Sequence, residues 1–125
     1  MLVLRRSCPQ VRTAAALQRA LTALDAGAEP DTADLRTAAR HLLEELAGSQ
    51  PGRSVEVRVP PYGAVQCIEG PRHTRGTPAN VVESDAVTWL LLATGRLAWF
   101  DAVATGRVLA SGERSELVAY LPLVE

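Results

Sequence analysis

The sequence predicts a small domain of the α+β class, and three features of the apolar pattern predict it. Apolar residues recur at three- and four-residue spacing through most of residues 11–46, alternate with polar ones over 55–59, and merge into an almost wholly apolar helical run around residue 90. A chain of 125 residues can bury such a core without disulfides or a structural metal. One domain over 1–125 is expected: a helical pair over 1–48, then a sheet with covering helices over 54–125.

From Val11 to Ala26, the residues Val11, Ala14, Ala15, Leu17, Leu21 and Leu24 form the stripe of an amphipathic helix that ends at Gly27. Asp31 or Thr32 caps a second helix, with Asp34 in its first turn, Leu35, Ala39, Leu42, Leu43 and Leu46 on its apolar side, and Gly48 as its stop. Val55, Val57 and Val59 then alternate with Glu56 and Arg58 as in a strand with one wet face. Pro60-Pro61-Tyr62-Gly63 turns the chain, so Ala64 to Glu69 returns as an antiparallel strand. Gly70 to Pro78 is irregular and delivers a third strand over Asn80–Glu83. Ser84 or Asp85 caps a helix that is apolar on nearly every side and closes at Gly95; a short helix over Leu97–Thr105 follows and closes at Gly106. Arg107 to Ser111 reads as a strand, and Glu113 to Leu121 as a last helix stopped by Pro122.

Composition excludes several classes of function. Thirteen basic against fourteen acidic residues leave a net charge of -1, which gives no field for nucleic acid or an anionic membrane. Hydrophobic residues make up 47% and charged ones 22%, the balance of a folded globule rather than a disordered chain. No apolar run has the length of a transmembrane span, and Met1-Leu2-Val3-Leu4 meets Arg5-Arg6 too soon for a secretory segment. Cys8 and Cys67 make no disulfide framework, so the expected compartment is the cytoplasm.

The run Asp85-Ala86-Val87-Thr88-Trp89-Leu90, followed by Thr94-Gly95-Arg96-Leu97 and by Asp101 to Gly112, resembles the C-terminal half of sterol carrier proteins. In that family a helix ending Thr-Gly-(Lys/Arg)-Leu precedes a second helix ending Gly-(Lys/Arg), which feeds a strand finishing Gly-(Asp/Glu). Gly112-Glu113 fits the last position. Upstream, Val55–Val59, Pro60 to Gln66 and Arg72 to Glu83 look like the actinobacterial branch of the family, and the all-Arg basic content agrees with GC-rich coding. The resemblance implies a mainly antiparallel sheet covered by helices, with an apolar tunnel between the two in lipid-binding relatives. Its N-terminal pair of helices is longer than the usual single one.

Two residue sets are candidates for binding. Aromatics make up only 4% of the chain, yet both tryptophans and the single phenylalanine fall between residues 89 and 100. Trp89, Leu92, Trp99, Phe100, Val103, Leu117 and Tyr120 are therefore a candidate apolar pocket, with a filled core as the plainer alternative. Arg72, His73, Arg75 and Thr77 could grip a carboxylate or phosphate head group. The alternative for that loop is a solvated segment with Arg72 or Arg75 paired to Glu69 or Glu83. Catalysis is not expected, because Cys67 lies in an apolar strand and nothing orients His73 as its base. Neither His41, on the polar side of its helix, nor the two distant cysteines has the spacing of a metal site, and no cofactor is implied. The expectation is a non-enzymatic carrier-like domain for a lipid or other apolar small molecule, with the short helix between Gly95 and Gly106 as its moving part. The rival is a protein-interaction domain with a filled core that serves a partner through its two N-terminal helices.

Overall fold

The computed structural model describes residues 9–70, 80–112 and 117–123. The chain divides into two compact units, Met1–Ala38 and Ala39–Glu125, the boundary falling within the second helix.

In the first unit, α1 (Pro9–Asp25) begins on a proline, which the first helical position tolerates because its N–H has no intrahelical partner there. Ala28 N–H donates to Ala23 O and Gly27 N–H to Leu24 O, the paired bonds that close a helix on a left-handed residue. α2 (Thr32–Ser49) starts on Asp31, whose Oδ2 accepts from Ala33 N–H at 3.1 Å and Asp34 N–H at 3.3 Å. Asp34 also accepts two bonds from Arg19, at 2.8 and 3.0 Å, tying α1 to the start of α2. This pairing holds the Asp34 carboxyl below the usual carboxylate range.

The second unit contains the rest of α2 and the sheet. Its strands are β1 (Val55–Val59), β2 (Gly63–Cys67), β3 (Asn80–Ser84) and β4 (Val108–Ser111), in the spatial order β2-β1-β3-β4. β1 pairs with β2 and β3 with β4 antiparallel, whereas β1 and β3 run parallel. The sheet is therefore mixed rather than purely antiparallel, with two of its three pairings antiparallel as expected and the β1–β3 pairing parallel. Consecutive strands do alternate in direction, but the chain leaving β2 re-enters the sheet on the far side of β1, and a pattern of alternating apolar residues carries no information about spatial neighbours. The third strand also runs one residue further than expected, to Ser84.

Period-two alternation sorts the sheet into two faces. Val55, Val57, Val59, Val82 and Val108 are buried on one, with Asn80 and Ser84. Glu56, Arg58, Val81, Glu83, Leu109 and Ser111 occupy the other, half-buried or exposed. Leu42, Leu43 and Leu46 of α2 are fully buried, and Arg40 Nε of the same helix donates to Tyr62 O at 2.9 Å.

β2 ends at Cys67 because Ile68 takes a positive φ of 66°. That backbone turn belongs to a buried polar node. Ile68 O accepts from Ser54 N–H at 3.1 Å and from Ser54 Oγ at 2.6 Å, Ile68 N–H donates to Gln50 O at 2.6 Å, and Asn80 Nδ2 donates to Ser54 O at 2.7 Å. Gly52 lies directly on the Ile68–Glu69 peptide, where an added Cβ would overlap backbone atoms.

α3 (Ala86–Ala93) is capped by Asp85 and α4 (Trp99–Ala104) begins at Ala98. At the end of α3, Arg96 N–H and Leu97 N–H both donate to Leu91 O around Gly95, whose φ is 78°. This explains why α4 starts later than the expected Leu97: residues 96 and 97 are spent closing α3. Of the expected last helix, residues 113–116 lie outside the described region. The remainder is a single 3₁₀ turn, Val118–Tyr120, because Leu121 is held extended before Pro122.

Candidate apolar ligand site

Asp85 accepts from Thr88 N–H at 3.4 Å and sets the first turn of α3, which directs Trp89 and Leu92 inward. Trp89 is 1% exposed, and its indole Nε1–H donates to Ala39 O at 3.2 Å. A buried indole needs such a partner, and this one joins α3 to α2 within the second unit. Trp99, Leu92 and Leu117 are buried as well. The segment carrying Leu117 is tied to α3 further on, where Leu123 N–H donates to Ala93 O at 2.8 Å and Pro122 sits against Gly95.

Four of the seven expected pocket residues thus sit in the interior of this unit, and three do not. Trp99 and Ala102 occupy the inward side of α4, three residues apart, which turns Phe100 and Val103 outward. Phe100 is 60% exposed and Val103 40%, while Tyr120 is half-buried. Arg72, His73, Arg75 and Thr77 lie outside the described residues.

Cys67 is fully buried, and loss of solvation pushes its thiol up to about 11, so at neutral pH it is a protonated, inaccessible group. His41 stands beside Glu45, 3.9 Å from its Oε1. Among the described residues, no three His, Cys, Asp or Glu side chains gather as a metal ion requires. No described helix is long and apolar enough to cross a membrane.

A second feature lies on the other face of the sheet. Val103 faces a groove of about 370 Å³ that it shares with Val81, Glu83, Leu109 and Ser111 of β3 and β4. Leu109 is 64% exposed, more than any other large apolar residue described. The sequence signal was there: Val108-Leu109-Ala110-Ser111 is a strand with neither a charge nor a proline.

A mixed four-stranded sheet with one apolar face and short, buried helices defines a small α+β domain. Residues 31–123 match the family model described as bacterial SCP ortholog, and the chain belongs to that sterol-carrier-protein-like family. No curated protein matches the chain.

Proposed function

We propose that this protein is a non-enzymatic, carrier-like domain that holds a lipid or other apolar small molecule between its sheet and its helices. The observation that carries the reading is the family match over residues 31–123. The concentration of the chain's tryptophans on α3 and α4 supports it, since Trp89 and Trp99 with Leu92 and Leu117 supply the large apolar surfaces that line such sites. Phe100 and Val103 stand on the outer side of α4, where an entering ligand would meet them first, and Tyr120 is half-buried in the 3₁₀ turn that follows Leu117. Cys67, buried and held protonated, is not available as a nucleophile, in keeping with this reading.

Two measurements test the reading together. Native mass spectrometry of protein purified from its own host is expected to show a bound lipid, and titration with a fluorescent long-chain fatty acid or sterol probe a saturable 1:1 complex. A protein that carries no lipid and takes up neither probe is not a carrier.

A further inference from the structure

We propose that the outer edge of β4 is a docking strip for a partner protein's extended segment, one that carries a basic side chain between apolar ones. This surface lies outside the inner face assigned to lipid and meets that site only at Val103, while the test turns on Glu83 and the amides of β4, so each reading can fail alone.

Among the described residues β4 is the last strand in the sheet order, and a terminal strand presents a row of backbone N–H and C=O groups able to pair with another strand. Such edges are ordinarily guarded by charges or proline, and Val108–Ser111 has neither. Apolar side chains flank the strip: Val103 of α4, 40% exposed, and Leu109, 64% exposed. Both open onto the groove of about 370 Å³.

The charge of the partner follows from Glu83. Its neighbours across the ladder are Leu109 on β4 and Arg58 on β1. Arg58 is already committed to Glu56, donating from Nε to Oε2 at 2.9 Å with Nη2 at ion-pair distance from the same oxygen. Glu83 is half-buried in the groove and has no hydrogen-bond or ion-pair partner among the described residues. A strand added beside β4 lies two strand spacings, about 10 Å, from β3, a span that an Arg or Lys side chain and Glu83 cover together across Leu109.

A second copy of this chain fits less well. Val108–Ser111 brings no basic residue, and Arg107 beside it is engaged through Nε with Thr88 Oγ1 at 3.2 Å. A small amphiphile also fits less well, because a groove this exposed encloses far less than the roughly 70–90% of ligand surface that pockets bury.

The test is NMR titration of the ¹⁵N-labelled full chain with the acetylated peptide Thr-Val-Arg-Val-Thr-Val and its Arg→Gln and Arg→Glu forms. Shifts are expected at amides 108–111. The Arg peptide should bind about fivefold tighter than the Gln form, the order of one partly exposed ion pair, and the Glu form more weakly still. Glu83→Gln should abolish the Arg-over-Gln preference with the melting temperature unchanged. The proposal is overturned if the three peptides bind alike or not at all, or if Glu83→Gln keeps the preference. It is overturned equally if light scattering shows a dimer that Ala110→Pro dissolves, or if dodecylamine saturates the same amides while the peptides leave them unmoved.

Discussion

Gly52→Ala and Gly48→Ala add the same methyl group at sites only four residues apart, and the structure gives them opposite signs. Gly48 is an exposed position in the last turn of α2, with nothing near its added Cβ. Replacing a helical glycine there should stabilise by up to ~1 kcal/mol through lost freedom of the unfolded chain. At Gly52 the methyl meets backbone C and O of Ile68 and N of Glu69. Those atoms cannot yield freely, because Ile68 O is held by Ser54 twice and Ile68 N–H by Gln50. Overpacking costs ~1–3 kcal/mol, and relief by movement would break at least one buried hydrogen bond worth ~1 kcal/mol. Gly52→Ala should therefore destabilise by about 2–4 kcal/mol. Urea unfolding followed by far-UV circular dichroism, with the slope unchanged, reads both variants from their midpoints. A Gly52→Ala protein within about 0.5 kcal/mol of the parent would refute the tight contact of this node.

Asp85→Ala removes the cap on α3 and should cost about 1 kcal/mol in a thermal melt; no change would mean the long 3.4 Å bond contributes nothing. Cys67 should resist alkylation in the native state and react once unfolded, as peptide mapping after iodoacetamide would show. Its raised folded value means the folded thiol stays protonated while the unfolded one ionises near 9, so the urea midpoint should fall as pH rises from 9 towards about 11, a trend that Cys67→Ala should lack. Asp34, held low by Arg19, works the other way: its contribution is present above the ordinary carboxylate range, is lost as pH falls through its depressed folded value, and should shrink in high salt or in Asp34→Asn. Trp99→Phe keeps most of the buried surface, so it should leave the melting temperature near that of the parent while weakening the fluorescent fatty-acid probe; equal binding of every acyl probe would make Trp99 core filler and end the idea that α4 gates entry.

Local chemistry was legible in the sequence. β1 occupies Val55–Val59, the span its alternation marks, and the acidic caps Asp31 and Asp85 and the glycines at 27, 95 and 106 bound their helices as their residue types require. What the sequence withheld depends on long-range placement. Alternation says which way Val81 and Val82 face, but not that β3 joins the free side of β1. Adjacent aromatics on a six-residue helix do not reveal which turns inward, so Trp99 and Phe100 were grouped although one is buried and the other exposed. Glu83 reads from the sequence as a partner for Arg72 or Arg75, which lie outside the described residues; that Arg58, its neighbour across the ladder, turns to Glu56 instead is a matter of side-chain placement that spacing does not encode.

Trp89 and Trp99, the chain's only tryptophans, are buried on consecutive helices of one unit, while Met1–Ala38 has none. Intrinsic emission is consequently a local instrument. It reports the environment of α3 and α4 and is silent on α1, which contributes instead to the far-ultraviolet helical signal. If α1 melts before the sheet, the two optical transitions will separate, and a single midpoint drawn from fluorescence will describe only the second unit.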